Sequence, residues 1–262
     1  MTETVRAAIV TPVYKSSLSP DEEISWNCLE QVLGHHKRFV LLPKGLAWER
    51  SGDRLELDAE HFASREAYSR LLLSESFYEL FQHYEYLLIY QLDCLVFRDE
   101  LHRWCEAGFD YLGAPWMPPA ARTRVPRVGN GGFSLRRVAA FLEVLRSSRR
   151  PAWGTAFSVN VLPDLPLTKV LKRLRVIRAA RRGAVAYAGS YTLNEDHFWS
   201  DRARLFAPGF RVAPVADALG FAFESAPRSC YDRTARLPFG CHAWARWDRA
   251  FWEEYLAALS LR

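Results

Sequence analysis

The stretch Tyr86-Leu-Leu-Ile-Tyr-Gln-Leu-Asp93-Cys-Leu-Val-Phe97 is an apolar run broken by one carboxylate, and its reading decides the fold. Leu87, Leu88, Ile89 and Tyr90 have the continuous apolar character of a strand buried on both faces, the kind found in parallel sheets. An aspartate at the end of such a strand is costly to bury unless a cation or hydrogen-bond donors satisfy it. In open α/β sheets, ligands collect outside the carboxyl ends of the strands. Asp93 therefore stands where a metal or polar ligand is expected. A strand-end aspartate capping the next turn accounts for this stretch equally well.

Outward from that strand the chain alternates. Residues 5–10 predict a first strand, ended by Thr11-Pro12-Val13-Tyr14, where proline opens a loop. Ser19-Pro-Asp-Glu-Glu23 supplies a capping serine, a proline at the first helical position and early acids, which predicts a helix running to about His36. Residues 38–42 read as a second strand closed by Pro43 and Gly45. Residues 64–83 predict one long amphipathic helix that feeds into the opening strand. Strand, helix, strand, helix, strand over the first 97 residues is an α/β layout with a mostly parallel central sheet. A short helix is expected over 98–107, a Pro/Arg-rich loop up to Val128, a helix over 136–146 and a last helix over 244–261.

The bulk numbers agree with a folded globular chain. Of 262 residues, 49% are hydrophobic, with 9 Trp, 16 Phe and 11 Tyr, ample for a large core. A net charge of +5 suits an anionic ligand such as a nucleotide, or an anionic membrane surface. It falls short of the dense basic stripe of a nucleic-acid binder. The five cysteines, Cys28, Cys94, Cys105, Cys230 and Cys241, are odd in number and include no Cys-x-x-Cys pair, so reduced thiols are expected and a zinc site is not. The first residues lack a basic leader and no apolar run reaches the length of a membrane span. A cytoplasmic location is expected, with peripheral contact at the inner membrane permitted. That contact falls to residues 169–182, a basic amphipathic segment whose first reading is a solvated helix face and whose sharper one is contact with an anionic membrane or lipid-diphosphate acceptor.

Four clusters carry candidate chemistry. The first is Gln91-Leu-Asp93. The second is Gly129-Asn130-Gly131-Gly132-Phe133-Ser134-Leu135-Arg136, whose glycines allow close backbone approach; as a turn before a helix it suits a phosphate or a sugar. The third is Asn194-Glu195-Asp196-His197, an ordinary capped helix start or a carboxylate pair with one member acting as a general base. Flanking Trp199 and Tyr191 suit stacking on a sugar ring. The fourth is Phe239-Gly240-Cys241-His242, a histidine placed after a glycine turn where it points into a cleft.

Taken in order, these clusters resemble the GT-A fold of nucleotide-sugar glycosyltransferases. More closely, Ile-Tyr-Gln-Leu-Asp93, Asp110-Tyr-Leu-Gly-Ala-Pro-Trp116, Gly129-Asn-Gly-Gly-Phe-Ser-Leu-Arg136, Asn194-Glu-Asp196 and Pro238-Phe-Gly-Cys-His242 resemble a bacterial family of glycosyltransferase character defined as a domain of unknown function, DUF5672, over roughly residues 5 to 245. The resemblance implies a GT-A-type single domain over 1–262, with a Rossmann-like nucleotide-binding half at 1–97 and an acceptor-side half at 98–262. It implies that Asp93 and His242 hold a divalent metal, Mn²⁺ or Mg²⁺, against the donor diphosphate. It places Asn130, Gly131 and Gly132 along the donor sugar, and Thr11, Pro12 and Tyr14 beside the nucleobase. It makes Asp196 the base of an inverting transfer, with Glu195 orienting it. The expected partners are a nucleotide-sugar, a UDP-sugar above all, and a glycan or lipid-linked acceptor. One position departs from the pattern: Gln91 stands where the first acid of Asp-x-Asp is expected. It contributes an amide and no charge, which favours a catalytically silent sugar-binding protein as the alternative. A nucleotidyltransferase is opposed by the loop Thr11-Pro12-Val13-Tyr14-Lys15, which lacks the glycines such enzymes place after the first strand.

Overall fold

The computed structural model describes residues 5–117, 127–152, 154–155, 170–191 and 193–258. In chain order its strands are β1 (Val5–Pro12), β2 (Arg38–Pro43), β3 (Asp53–Leu57), β4 (Tyr84–Tyr90), β5 (Leu95–Val96), β6 (Tyr111–Gly113), β7 (Pro115–Trp116), β8 (Arg127–Val128), β9 (Phe133–Arg137), β10 (Ala222–Phe223) and β11 (Gly240–Cys241). Six of them form one sheet in the order β3-β2-β1-β4-β9-β6. The pairs β3–β2, β2–β1 and β1–β4 are parallel, while β9 runs antiparallel to both β4 and β6. This is the mixed α/β fold with a mostly parallel sheet that the strand and helix alternation calls for.

The chain divides into two compact units. One comprises residues 1–59, 83–137 and 212–262, and the other residues 60–82 and 138–211. The first unit holds the sheet. Leu87, Leu88, Ile89 and Tyr90 on β4 are all fully buried, as expected of a strand covered on both faces. Leu88 and Tyr90 pack with Ile9, Leu135, Phe133, Phe221, Phe239 and Trp244 into one core. The second unit is helical. Its centre is an aromatic cluster in which Trp199 lies 3.9 Å from Phe141 between ring centroids, with Tyr78 and Phe210 beside them.

Local sequence explains most boundaries and corrects others. The helix Pro20–Leu33 begins as predicted, with Ser19 and Glu22 forming a reciprocal capping box; it stops at Leu33 rather than His36. The single helix expected over 64–83 is two helices, Arg65–Leu71 and Glu75–Glu79. Ser74 breaks it by capping the second: its hydroxyl accepts the Phe77 amide at 3.3 Å. The helix expected at 136 begins at Val138, because residues 133–137 form β9 instead. The short helix spans Leu101–Glu106 and the last one Arg249–Ala258. The Pro/Arg-rich loop over 118–126 and residues 169 and 259–261 of the expected helices lie outside the described residues. Among the described residues no helix is long and apolar enough to cross a membrane. All five cysteines are buried free thiols.

Candidate functional site

Strand register brings three of the four sequence clusters to one place. On the central sheet, β1 pairs with β4 up to Val10 opposite Ile89, and β4 pairs with β9 up to Tyr90 opposite Phe133. One step further, Gln91 donates its backbone N–H to the Gly132 carbonyl at 2.9 Å. Pro12, Gln91 and Gly132 thus end three neighbouring strands at the carboxyl edge of the parallel pair. This is the edge where α/β sheets hold their ligands.

A small second sheet, in the order β10-β11-β5, completes the site. Cys241 on β11 is level with Leu95 on antiparallel β5 and with Phe223 on parallel β10. The next residue, His242, is thereby set beside Asp93 on one side and Glu224 on the other. Backbone bonds lock this arrangement: the His242 N–H donates to the Phe223 carbonyl at 3.0 Å, and the Trp244 N–H to the Asp93 carbonyl at 3.1 Å.

The side chains then converge. His242 Nε2 lies 3.3 Å from Asp93 Oδ1 and 3.3 Å from Gln91 Oε1, and His242 Nδ1 lies 3.0 Å from Glu224 Oε1. Burial pulls the His242 imidazole down, but the carboxylates of Asp93 and Glu224 outweigh it and push it up to about 10. Burial acts on Asp93 in the opposite sense from the imidazolium beside it, and the imidazolium wins, holding the carboxyl below its usual range. Cys94 belongs to the same cluster, yet its thiol is fully buried and burial drives it well above the usual thiol range. It donates to the Gly132 carbonyl at 3.3 Å and stays a protonated packing group.

Gly132 is the floor of the cluster. A Cβ there would stand 2.1 Å from His242 Nε2 and 2.7 Å from Gln91 Oε1, so only glycine leaves the imidazole its place. Asn130 shapes the loop before it. It adopts a left-handed φ of 69°, a conformation asparagine tolerates better than most residues. Its Oδ1 accepts the amides of Gly132 at 2.9 Å and Phe133 at 3.4 Å, which fixes the orientation of the side-chain amide. Among the described residues its Nδ2 is buried with no hydrogen-bond partner. A buried donor left unpaired is costly, and this one is available to a ligand oxygen. Arg136, fully buried, ties the loop from behind: its Nε donates to Ser134 Oγ at 3.0 Å and its Nη2 to the Gly131 carbonyl at 3.2 Å.

Two sequence readings change here. The glycine loop leads into β9, so no helix N-terminus backs it, and whatever anion it meets is met by backbone and Asn130. Glu224 had no part in the sequence reading. Its only signal is a carboxylate ending the buried run Phe221-Ala-Phe223, the same signal that marked Asp93. Of the residues expected beside a nucleobase, Thr11 is buried on β1 and Tyr14 is exposed.

The Asn194-Glu-Asp196 motif lies in the second unit, at the start of the helix Glu195–Asp201. Asn194 holds the N-cap position without a side-chain bond. Instead Glu195 Oε2 accepts the Asp196 N–H at 2.6 Å, and Asp196 Oδ1 accepts the His197 N–H at 2.8 Å. Both side chains are buried, at 4% and 8% exposure, an uncommon state for carboxylates. Trp199 does not offer a sugar-stacking face: it is completely buried in the aromatic core. Tyr191 packs on Tyr187 and Phe198.

The donor set fits a divalent cation. It offers a carboxylate oxygen and an imidazole nitrogen in contact, the other imidazole nitrogen held by a second carboxylate, and a side-chain amide oxygen alongside. The chain is thus a mixed α/β protein with such a cluster at the carboxyl edge of its mostly parallel sheet. The family described as "Protein of unknown function (DUF5672)" matches residues 53–242, and the chain belongs to it. No curated protein matches the chain. Similar solved structures include the apo-form glycosyltransferase GlyE of Streptococcus pneumoniae TIGR4, at 12% identity and TM-score 0.46 over 98% of this chain and 64% of that one. The chain therefore spans less than two thirds of that enzyme's chain. A glycosyltransferase involved in the glycosylation of the major capsid of PBCV-1 is similar at 12% identity and TM-score 0.48, over 97% and 99% of the two chains. The galactosyltransferase LgtC, in complex with donor and acceptor sugar analogs, is similar at 13% identity and TM-score 0.46, over 96% and 95%. At these scores the functional reading rests on the site's own residues.

Proposed function

We propose that this protein is a glycosyltransferase of GT-A type. It moves a sugar from a nucleotide-sugar, a UDP-sugar in the first instance, to a hydroxyl of a glycan or lipid-linked acceptor. The observation that carries the reading is the convergence of Asp93, His242, Gln91 and Gly132 at the carboxyl edge of the sheet. Asp93 Oδ1 and His242 Nε2 would hold Mg²⁺ or Mn²⁺. When bound, that ion supplies electrostatic stabilisation of the charge gathering on a leaving diphosphate.

The chain's own groups do the rest. Glu224 orients His242 through Nδ1 and presents Nε2 towards Asp93. Gln91 offers an amide to a ribose or sugar hydroxyl. Asn130 Nδ2, buried and unpaired among the described residues, donates to a donor oxygen, and Gly131 and Gly132 let the sugar lie against the backbone. Thr11, Pro12 and Tyr14 border the base, with the exposed Tyr14 ring as the stacking surface. Asp196 takes the proton from the acceptor hydroxyl and Glu195 positions it, which gives inversion at the anomeric carbon. Arg175 and Arg178 of the helix Val170–Ala180, and Arg182 just after it, line one cavity with Gly189 and Ser190, and this basic surface suits an anionic acceptor or membrane surface.

Thermal-shift titration with UDP-, GDP-, CMP- and dTDP-sugars, with and without Mn²⁺, tests the reading. One nucleotide class should stabilise the protein, and Mn²⁺ should enlarge the shift. Absence of a shift with every nucleotide overturns it. Gln91 favours the second reading, a silent sugar binder: binding without transfer or donor hydrolysis would select it.

A further inference from the structure

His35 and His36 lie in the turn after the helix Pro20–Leu33, and Asp99 lies just ahead of the helix Leu101–Glu106. Both imidazoles aim at one oxygen. His35 Nε2 is 2.9 Å and His36 Nε2 is 2.8 Å from Asp99 Oδ2, and the rings lie 4.3 Å apart. The three potential ligand atoms are mutually within 4.8 Å. Asp99 is oriented from behind, because its other oxygen, Oδ1, accepts the Leu101 N–H at 3.1 Å. The neighbouring cation is diverted, since Lys37 pairs with Asp53.

Two imidazole nitrogens and one carboxylate oxygen form a borderline donor set, suited to zinc and its late first-row neighbours rather than to Mg²⁺. The oxygen is held by a backbone amide, the kind of outer contact that fixes ligand orientation in metal sites. His35 is two-thirds exposed and Asp99 one-third exposed, so water can complete the coordination. The cluster is remote from the Asp93–His242 pair along the sheet. It precedes β2, whose Arg38 is level with Ile9 of β1 and hence with Leu88 of β4, whereas Gln91 and Asp93 follow the end of β4.

We propose that His35, His36 and Asp99 form a second metal site that takes Zn²⁺ or a similar transition-metal ion, clipping the end of one helix to the start of another. The test uses the full chain, stripped with chelator and titrated with ZnCl₂ by calorimetry, with Co²⁺ absorption as a spectroscopic report of ligand number. Replacing Asp93 by Asn, or Asp93 and His242 together by Ala, should leave one equivalent of Zn²⁺ bound and the Co²⁺ bands of this site in place. The double variant His35→Gln/His36→Gln changes exposed side chains and should keep its circular dichroism. Built on the Asp93→Asn protein, it should bind that equivalent about tenfold more weakly or worse and lose the rise in Tm that Zn²⁺ gives the Asp93→Asn protein. Undiminished Zn²⁺ affinity when His35→Gln/His36→Gln is built on the Asp93→Asn protein, or no stoichiometric Zn²⁺ in the Asp93→Asn protein itself, overturns the proposal. Neither result bears on donor binding at Asp93 and His242.

Discussion

Metal loading at the Asp93–His242 pair should expel close to one proton per ion at pH 7.5. The structure sets the number. His242 lies between two carboxylates, with Nδ1 at 3.0 Å from Glu224 and Nε2 at 3.3 Å from Asp93, and together they push the imidazole up to about 10. Its folded value is raised, so below that pH the ring carries a proton on both nitrogens. At pH 7.5, about 2.5 units lower, roughly 0.3% of the rings are neutral. A ligating imidazole must be neutral, so binding removes the Nε2 proton at a cost on the order of 3 kcal/mol at pH 7.5, falling by about 1.4 kcal/mol for each pH unit gained. Asp93, held below its usual range, stays ionised and contributes no proton. Apparent Mn²⁺ affinity should therefore rise about 100-fold between pH 6.5 and 8.5. Calorimetric titration of MnCl₂ in buffers of different ionisation enthalpy reads the proton count directly. Glu224→Gln removes one of the two carboxylates and should lower the count, and His242→Ala should abolish it. An observed enthalpy independent of buffer, with affinity flat from pH 6.5 to 8.5, would refute both the protonation state and the role of His242 as ligand.

Three further outcomes follow from the geometry. Gly132→Ala puts a Cβ 2.1 Å from His242 Nε2 and 2.4 Å from Cδ2; it should lower stability by about 1–3 kcal/mol and weaken metal-dependent nucleotide binding at least about tenfold, measured by melting and calorimetry. Asp196→Asn should keep donor affinity and lower transfer by roughly 10²–10⁴-fold in a steady-state assay; normal turnover would remove Asp196 as the base. Arg175→Ala with Arg178→Ala should weaken binding to anionic vesicles by about 2 kcal/mol, or roughly 30-fold, at about 1 kcal/mol for each basic residue. Co-sedimentation with neutral vesicles should show no change.

What the sequence made legible is what is written in local pattern. The buried run 87–90 reads as a strand because every one of its side chains is apolar, and Ser19-Pro-Asp-Glu reads as a helix start because each residue satisfies a terminal group or the fixed φ of the first turn. What stayed illegible depends on pairing between distant segments. β3, Asp-Arg-Leu-Glu-Leu, is a charged edge strand with little burial to announce it. β9 contains Ser134, Arg136 and Arg137, residues that suggest a surface, yet Arg136 is wholly buried against the glycine loop. Trp199 reads as a sugar platform beside Asp196 because sequence shows neighbours along a chain; helical geometry turns it into the aromatic core.

Glu224 is placed beside His242 by strand register, and it bears on the departure at Gln91. An amide in place of the first acid leaves the Gln-Leu-Asp93 motif one negative charge short. The two-residue strands β10 and β11 restore a carboxylate to the neighbourhood by a different route. Phe223 opposite Cys241 sets Glu224 level with His242. The charge does not return to the same place, however. Gln91 Oε1 faces His242 Nε2, the atom a metal would take, while Glu224 faces Nδ1. The second carboxylate therefore acts through the imidazole, making it a better ligand and a stronger base at once. That basicity keeps His242 protonated and paired with Asp93. Once the proton leaves, the same two carboxylates favour a cation in its place. The diphosphate of a bound donor would add the oxygens that Gln91 withholds.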